Sequence, residues 1–166
     1  MNRVAAITLA LSAGLLAALP AAAVDAGAPA PEFNLPGSRG AVSLAALKGK
    51  LVYLDFWASW CGPCRQSFPW MNEMQAKYGP KGLQIVGVNL DAKRADADKF
   101  LAEVPASFVL AFDAQGDTPR RYAVKGMPTS MLIGADGRVL YVHQGFRLEE
   151  RAELEARLVA ALGQRP

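Results

Sequence analysis

Cysteine and histidine are nearly missing from this chain: its 166 residues include two cysteines, Cys61 and Cys64, and one histidine, His143. So few excludes a disulfide-dense scaffold, which needs several pairs in a short chain. It also leaves too few ligands for a four-coordinate structural zinc site. The metal reading that survives is a copper-binding role using Cys61, Cys64 and His143. An excess of one charge is missing too. Eighteen basic and 15 acidic residues give a formal charge of +3, with the signs mixed along the chain, so nothing points to nucleic acid or an acidic substrate. Repeats and a second domain are absent. What remains is a 52% apolar chain long enough for one domain with a proper core.

Charge is also lacking from Val4 to Ala23, and only Arg3 and the amino terminus precede that run. A short positive start, an apolar stretch, the helix-breaking Pro20 and small residues at Ala21 and Ala23 have the layout of a secretory signal peptide over residues 1–23. An uncleaved membrane anchor is the alternative, because about 20 apolar residues can span a bilayer. No cysteine follows the run, which excludes a lipid anchor there. Both readings export the domain, which comprises residues 24–166. Losing residues 1–23 removes one basic residue, Arg3.

The exported part begins with the Pro-rich lead-in Asp25 to Phe33, then a turn, PGSRG, between short apolar pieces that suggests a small hairpin. Ser43 is placed to cap a short helical piece ending at Gly49. Lys50 to Ala58 (KLVYLDFWA) reads as a central strand buried on both faces, interrupted by one acid, Asp55. Cys61 to Tyr78 reads as a helix, with Phe68, Met71, Met74 and Tyr78 at helical spacing and Pro69 as a kink. A strand over Leu83 to Leu90, a charged helix over Lys93 to Glu103 and a strand over Ser107 to Phe112 follow. Pro119 is expected to open a short helix over Thr118 to Tyr122. Thr129 to Ile133 and Val139 to Gln144 form a hairpin about the turn GADG, and Leu148 to Leu162 closes the chain as an amphipathic helix. Such alternation predicts an α/β layered sandwich with a mixed sheet.

Cys61 and Cys64 could be a structural bridge, half of a metal site or a redox switch. A bridge between residues three apart closes a very small loop and contributes little stability in the chain-entropy model. At the start of a helix, by contrast, unpaired N–H groups and the helix dipole favour a thiolate. Gly62 allows a tight turn, Pro63 suits a first helical position, and Cys64 lies one turn along, within reach of a disulfide. The outer cysteine can then attack a partner's disulfide and the inner one resolve the product. A peroxidatic cysteine of the peroxiredoxin type needs a Pro-x-x-x-Thr-x-x-Cys context. Leu54 and Ala58 stand at those positions before Cys61, and Trp57 and Cys61 before Cys64, so that pattern is absent.

WCGPC after a strand resembles thioredoxin, and the likeness extends across LDFWASWCGPC, Pro69, the segment VKGMPTSMLI and Gly145. The lead-in APEFNLPGSRGAVSLAALKGK and the segment from about Lys93 to Phe112 are similar to exported TlpA/ResA-like members of that superfamily. This resemblance implies a thioredoxin fold: a three-layer sandwich on a central mixed β-sheet, with an N-terminal β-hairpin extension and a central helix–strand insertion.

The resemblance also implies roles. Cys61 would be the exposed nucleophile and Cys64 the buried resolving thiol of a redox-active disulfide. Pro128 would be cis and set the Met127 backbone beside the cysteines, where a substrate chain could add as a strand, with Trp60, Gly62, Pro63 and Thr129 in the same substrate-contact set. Asp55 would carry a raised pKa and take the inner cysteine's proton, the alternative being a partly solvated acid at a strand end. The lysine that neighbours this acid in thioredoxin is replaced by Gly87. Trp57 should be core, and Trp60 either faces partners or merely packs. His143 reads as a satisfied or surface residue rather than a ligand or base. No cofactor and no metal are implied. The expected partners are disulfides of exported proteins, of the cytochrome c maturation or metal-centre assembly type, and a membrane electron-importing thiol reductase as donor. The expected location is periplasmic, or the inner membrane facing the periplasm. The Gly-Pro dipeptide implies a reductant. Members dedicated to cytochrome maturation often carry Gly-Ala-Pro-Glu at the cis-proline; here the segment reads Gly126-Met127-Pro128-Thr129.

Overall fold

A computed structural model describes residues 24–164. The signal or anchor expected at residues 1–23 lies outside the described residues. Seven strands form one sheet in the order β2-β1-β5-β4-β3-β6-β7: β1 (Asn34–Gly37), β2 (Gly40–Ser43), β3 (Leu51–Trp57), β4 (Leu83–Asn89), β5 (Val109–Phe112), β6 (Thr129–Ile133) and β7 (Val139–Gln144). Strands β3, β4 and β5 run parallel, β6 adds antiparallel to β3, and β7 adds antiparallel to β6. The fold is the expected mixed α/β sandwich, with the β1–β2 hairpin extending the sheet beyond β5.

Every residue of β3 is buried, as its unbroken apolar run requires. Its alternate side chains feed two cores. Leu51, Tyr53 and Trp57 pack with α1 (Gly62–Tyr78), α2 (Arg94–Glu103) and α4 (Arg151–Gly163), through Phe68, Met71, Met74, Phe100, Leu154 and Leu158. Val52, Leu54 and Phe56 pack on the other face against Phe33, Leu44 and Tyr122. The second layer is therefore thinner, built from the N-terminal segment and the chain around α3 (Asp117–Arg121).

Several boundaries differ from the sequence reading, each for a local reason. Lys50 and Ala58 lie outside β3, and Cys61 is the N-cap of α1 rather than its first residue. The helix runs on through Pro69 as a single element from Gly62 to Tyr78. Ser107 lies outside β5 because its N–H and hydroxyl both donate to Asn72 Oδ1, at 2.7 and 2.9 Å, tying the loop to α1 instead. Pro119 does not open α3: the helix starts at Asp117, where the Asp113 carboxylate accepts the N–H groups of Gly116 and Thr118. The last helix divides into a 3₁₀ turn, Leu148–Glu150, and α4. Ser43 does act as a cap, its Oγ accepting the Ala46 N–H at 3.3 Å.

Gly87 shows why no side chain stands there. It pairs with Asp55 across β3 and β4, and a Cβ on it would lie 3.0 Å from Phe108 Cε2 and 3.2 Å from Trp57 Nε1. The space that a longer residue would occupy is filled by two aromatic rings. Gly87→Ala is therefore expected to destabilise the protein by about 1–3 kcal/mol through overpacking, seen as a lower urea midpoint at unchanged slope.

Candidate active site

The two cysteines sit where β3 hands the chain to α1. Trp57 ends the strand, a short turn follows, and Cys61 caps the helix. Cys61 and Cys64 form a disulfide with Cα atoms 5.3 Å apart. The Cys64 N–H donates to Cys61 Sγ at 3.3 Å, so a helix N-terminal donor is aimed at the outer sulfur. Such a donor stabilises a thiolate more than a thiol. Gly62 and Pro63 occupy the first two helical positions, both exposed. The two sulfurs differ in access: Cys61 keeps 5% of its surface and Cys64 none. The outer cysteine is thus far more covered than the word exposed conveys, at least as a disulfide.

A polar clamp holds this turn. The Ser59 N–H and hydroxyl donate to Asp91 Oδ2 and Oδ1, at 2.9 and 2.8 Å. The same carboxylate accepts Asn89 Nδ2 at 2.7 Å, and Asn89 Oδ1 accepts the Asp91 N–H. Charge-assisted bonds of this kind are the strong ones. Asp91 and Asn89 escaped the sequence reading. An Asn-x-Asp pattern just after a buried strand was the available signal, but it has no meaning until the fold brings Ser59 to it.

The cis-proline loop completes the rim. The Met127–Pro128 peptide is cis, as the resemblance implied. Met127 packs, half-buried, against the cluster that holds both cysteines. Thr129 is buried, and its hydroxyl donates to the Gly126 carbonyl at 2.7 Å, while the Gly145 N–H donates to the Pro128 carbonyl at 2.8 Å. Trp60 projects beside Cys61 with 72% of its surface exposed, well above any other large apolar side chain among the described residues. Trp57 is core, as expected, with its ring 4.9 Å from both Phe68 and Phe100.

Asp55 lies on the sheet face that α1 covers, two residues before Trp57. It is 1% exposed, and its Oδ2 has no hydrogen-bond partner. The alternative of a partly solvated strand-end acid is overturned. Burial pushes its carboxyl well above the usual carboxylate range. Close by, the Tyr53 hydroxyl donates to Ser130 Oγ at 2.8 Å, and burial, then the Asp55 charge, raise that phenol far beyond its ordinary value.

His143 stands on β7 away from the disulfide turn, stacked on Tyr141 at 6.2 Å. Its Nε2 lies 3.3 Å from Glu150 Oε2, within ion-pair distance but misaligned for a hydrogen bond. The Arg147 guanidinium holds Glu150 below the usual carboxylate range. Among the described residues, no three His, Cys, Asp or Glu side chains come together as a ligand set.

A helix-capped disulfide, a cis-proline loop whose Met127 packs against the same cluster, and a buried acid on the preceding strand define the thiol–disulfide exchange class. The family model described as Redoxin matches residues 25–158, and the chain belongs to that family, as a TlpA/ResA-like member of the thioredoxin superfamily. It is 34% identical over 131 residues to thiol-disulfide oxidoreductase ResA of Bacillus thuringiensis subsp. konkukian, covering 78% of this chain and 76% of that protein. A crystal structure from Chlorobium tepidum, assigned as the thiol:disulfide interchange protein DsbE, is 62% identical at a TM-score of 0.84, covering 85% of this chain and all (100%) of that one. A thiol-disulfide oxidoreductase from Bacteroides fragilis superposes at a TM-score of 0.69 with 26% identity, over 80% of this chain and 99% of that one. The protein is a thiol–disulfide oxidoreductase.

The buried acid gives a pH signature. The folded state holds the Asp55 proton to higher pH than the unfolded chain, so above the ordinary Asp pKa of about 4 the folded state binds more protons. Stability therefore falls as pH rises, until Asp55 has ionised in the native state. Asp55→Asn should remove this slope and raise the stability of the disulfide form at alkaline pH, by about 1.4 kcal/mol for each unit of displacement. Urea midpoints of both proteins across the pH range check it.

Proposed function

We propose that this chain is an exported, periplasmic reductant of disulfides in other exported proteins, with Cys61 as nucleophile and Cys64 as resolving thiol. The observation that carries the assignment of roles is the asymmetry of the pair. Cys61 receives the helix N–H and keeps the accessible edge, while Cys64 is sealed.

In the reduced protein the Cys61 thiolate attacks one sulfur of a substrate disulfide. The old S–S bond breaks, its electron pair goes to the leaving substrate sulfur, and a mixed disulfide forms. Cys64 then attacks Cys61 Sγ. Its proton passes to the Asp55 carboxylate, and the pair from the mixed disulfide goes to the second substrate sulfur. The protein ends as the disulfide and the substrate as a dithiol. A carboxyl whose pKa burial raises suits this work, because it holds an accepted proton more readily than an ordinary carboxylate and can return it afterwards. No cofactor enters the sequence; the dithiol is the redox group.

The rim suits a polypeptide substrate. Trp60 presents an exposed ring beside Cys61, and Met127 and Thr129 flank Pro128, where an extended chain can pair with the loop. Targets of the apocytochrome c or copper-centre assembly type fit a reductant in an exported compartment. Gly126-Met127-Pro128-Thr129 lacks the acidic residue of the cytochrome-dedicated motif and argues against that narrower class. A reductant in an oxidising compartment needs a donor, and a membrane electron-importing thiol reductase meets that need. The leader at residues 1–23 supports export, as a cleaved signal or as an anchor.

Cys61→Ser is expected to abolish reduction of a disulfide-bonded substrate. Cys64→Ser should also stop turnover while accumulating a mixed disulfide through Cys61, resolved by thiol trapping and gel shift. A Cys64→Ser protein that traps nothing would overturn the assignment of the outer thiol.

A further inference from the structure

The polar neighbours of Asp55 extend in one direction only. Towards β4 it opposes Gly87, which in turn opposes Leu110 on β5, so that side is apolar. Towards β6 it opposes Ser130, and Ser130 opposes His143 on β7. Directly opposed residues of antiparallel strands hold their Cβ atoms about 4.5–5.5 Å apart on one face. Asp55, Ser130 and His143 therefore form a row across the sheet, beneath the layer of α1.

The row has the right chemistry at each step. Ser130 Oγ accepts from the Tyr53 hydroxyl at 2.8 Å, which leaves its own hydrogen free to turn towards either neighbour. His143 can hold a proton on either ring nitrogen. Glu150 stands 3.3 Å from His143 Nε2, and these side chains are the first in the row to reach solvent, at 14% and 22% exposure. Both the Asp55 and His143 side chains carry a buried polar atom without a hydrogen-bond partner, Oδ2 and Nε2. Trp57, two residues along on the same face of β3, is unexposed, and so are Phe68 and Cys64 on the helix above that face.

We propose that Ser130, His143 and Glu150 form the route by which Asp55 exchanges its proton with solvent, with His143 as the relay. This rests on Asp55 as the acceptor of the Cys64 proton. After each resolving step Asp55 carries that proton. It passes to the Ser130 oxygen as Ser130 releases its own hydrogen to the His143 imidazole, and His143 releases one proton to water beside the Glu150 carboxylate, which stays ionised against Arg147. One proton enters the row and one leaves. The groups that face His143 set its charge balance: Glu150 with its Arg147 partner, Tyr141 with Arg157 4.2 Å above its ring, and Tyr53 and Asp55 through Ser130. His143 acts through Asp55 and is a positioning residue, not a catalytic one.

The test is stopped-flow oxidation of the reduced full-length protein by a disulfide peptide in dilute buffer, from neutral to alkaline pH. His143→Ala should slow the release of the proton to solvent that follows the resolving step, read with a pH-indicator dye, by about tenfold or more, and added imidazole should restore it. His143→Gln, which keeps polarity and approximate shape but cannot take up and release a proton, should be slow as well. In an Asp55→Asn background neither His143→Ala nor imidazole should change the rate. Full speed in both His143 variants overturns the relay and leaves Asp55 standing, as does a loss that imidazole does not repair or that persists undiminished with Asp55→Asn. Asp55→Asn alone reacting at the parent rate overturns the acceptor role and the relay together.

Discussion

Burial of β3 on both faces is the constraint on which the site depends. A strand with no exposed residue must lie at the centre of the sheet, between β4 and β6, with helices over one side. Its carboxyl end then delivers the chain to the N-terminus of α1, where free N–H groups meet the outer sulfur. The same burial strips water from Asp55. A carboxyl that would be ionised at the surface becomes a group that holds its proton well above the usual carboxylate range. One sheet position thus supplies both halves of the chemistry, a sulfur pair at its end and an acid beneath it.

Around that centre the structure divides rigid parts from accessible ones. Ser59, Asn89 and Asp91 lock the turn before Cys61 with four hydrogen bonds, and the Gly145 and Thr129 bonds fix the cis-proline loop opposite. What remains open to a partner is narrow: the edge of Cys61, the exposed Trp60 ring and the flank of Met127. Preorganisation of this kind keeps the two sulfurs within bonding reach of one another without ordering costs during turnover.

Much of this was legible in the sequence because the strongest signals were local. An unbroken apolar run names a central strand, and WCGPC after it names a helix cap. The Lys93–Phe112 segment announced an inserted helix and strand, found as α2 and β5. The mistakes were at ends where a side chain from elsewhere decides the backbone. Asn72 draws Ser107 out of β5, and Asp113 starts α3 two residues before Pro119. The least legible features were cross-strand ones. Ser130 and His143 are thirteen residues apart in an ordinary hairpin, and only register places Ser130 beside Asp55 and His143 beside Ser130. Gly87 looked like a missing partner for that acid; in space, Trp57 and Phe108 have taken the room.

The central claim is that this dithiol gives electrons rather than takes them, and the equilibrium reduction potential of the Cys61–Cys64 pair tests it most directly. Titration against a dithiol buffer with thiol trapping should give a value near thioredoxin's, about −270 mV. The Gly62-Pro63 dipeptide and a helix-capped outer sulfur would then belong to a reductant supplied from the membrane. A value about 100 mV or more higher, in the range of isomerases and oxidants, would contradict the account and make this protein a disulfide donor.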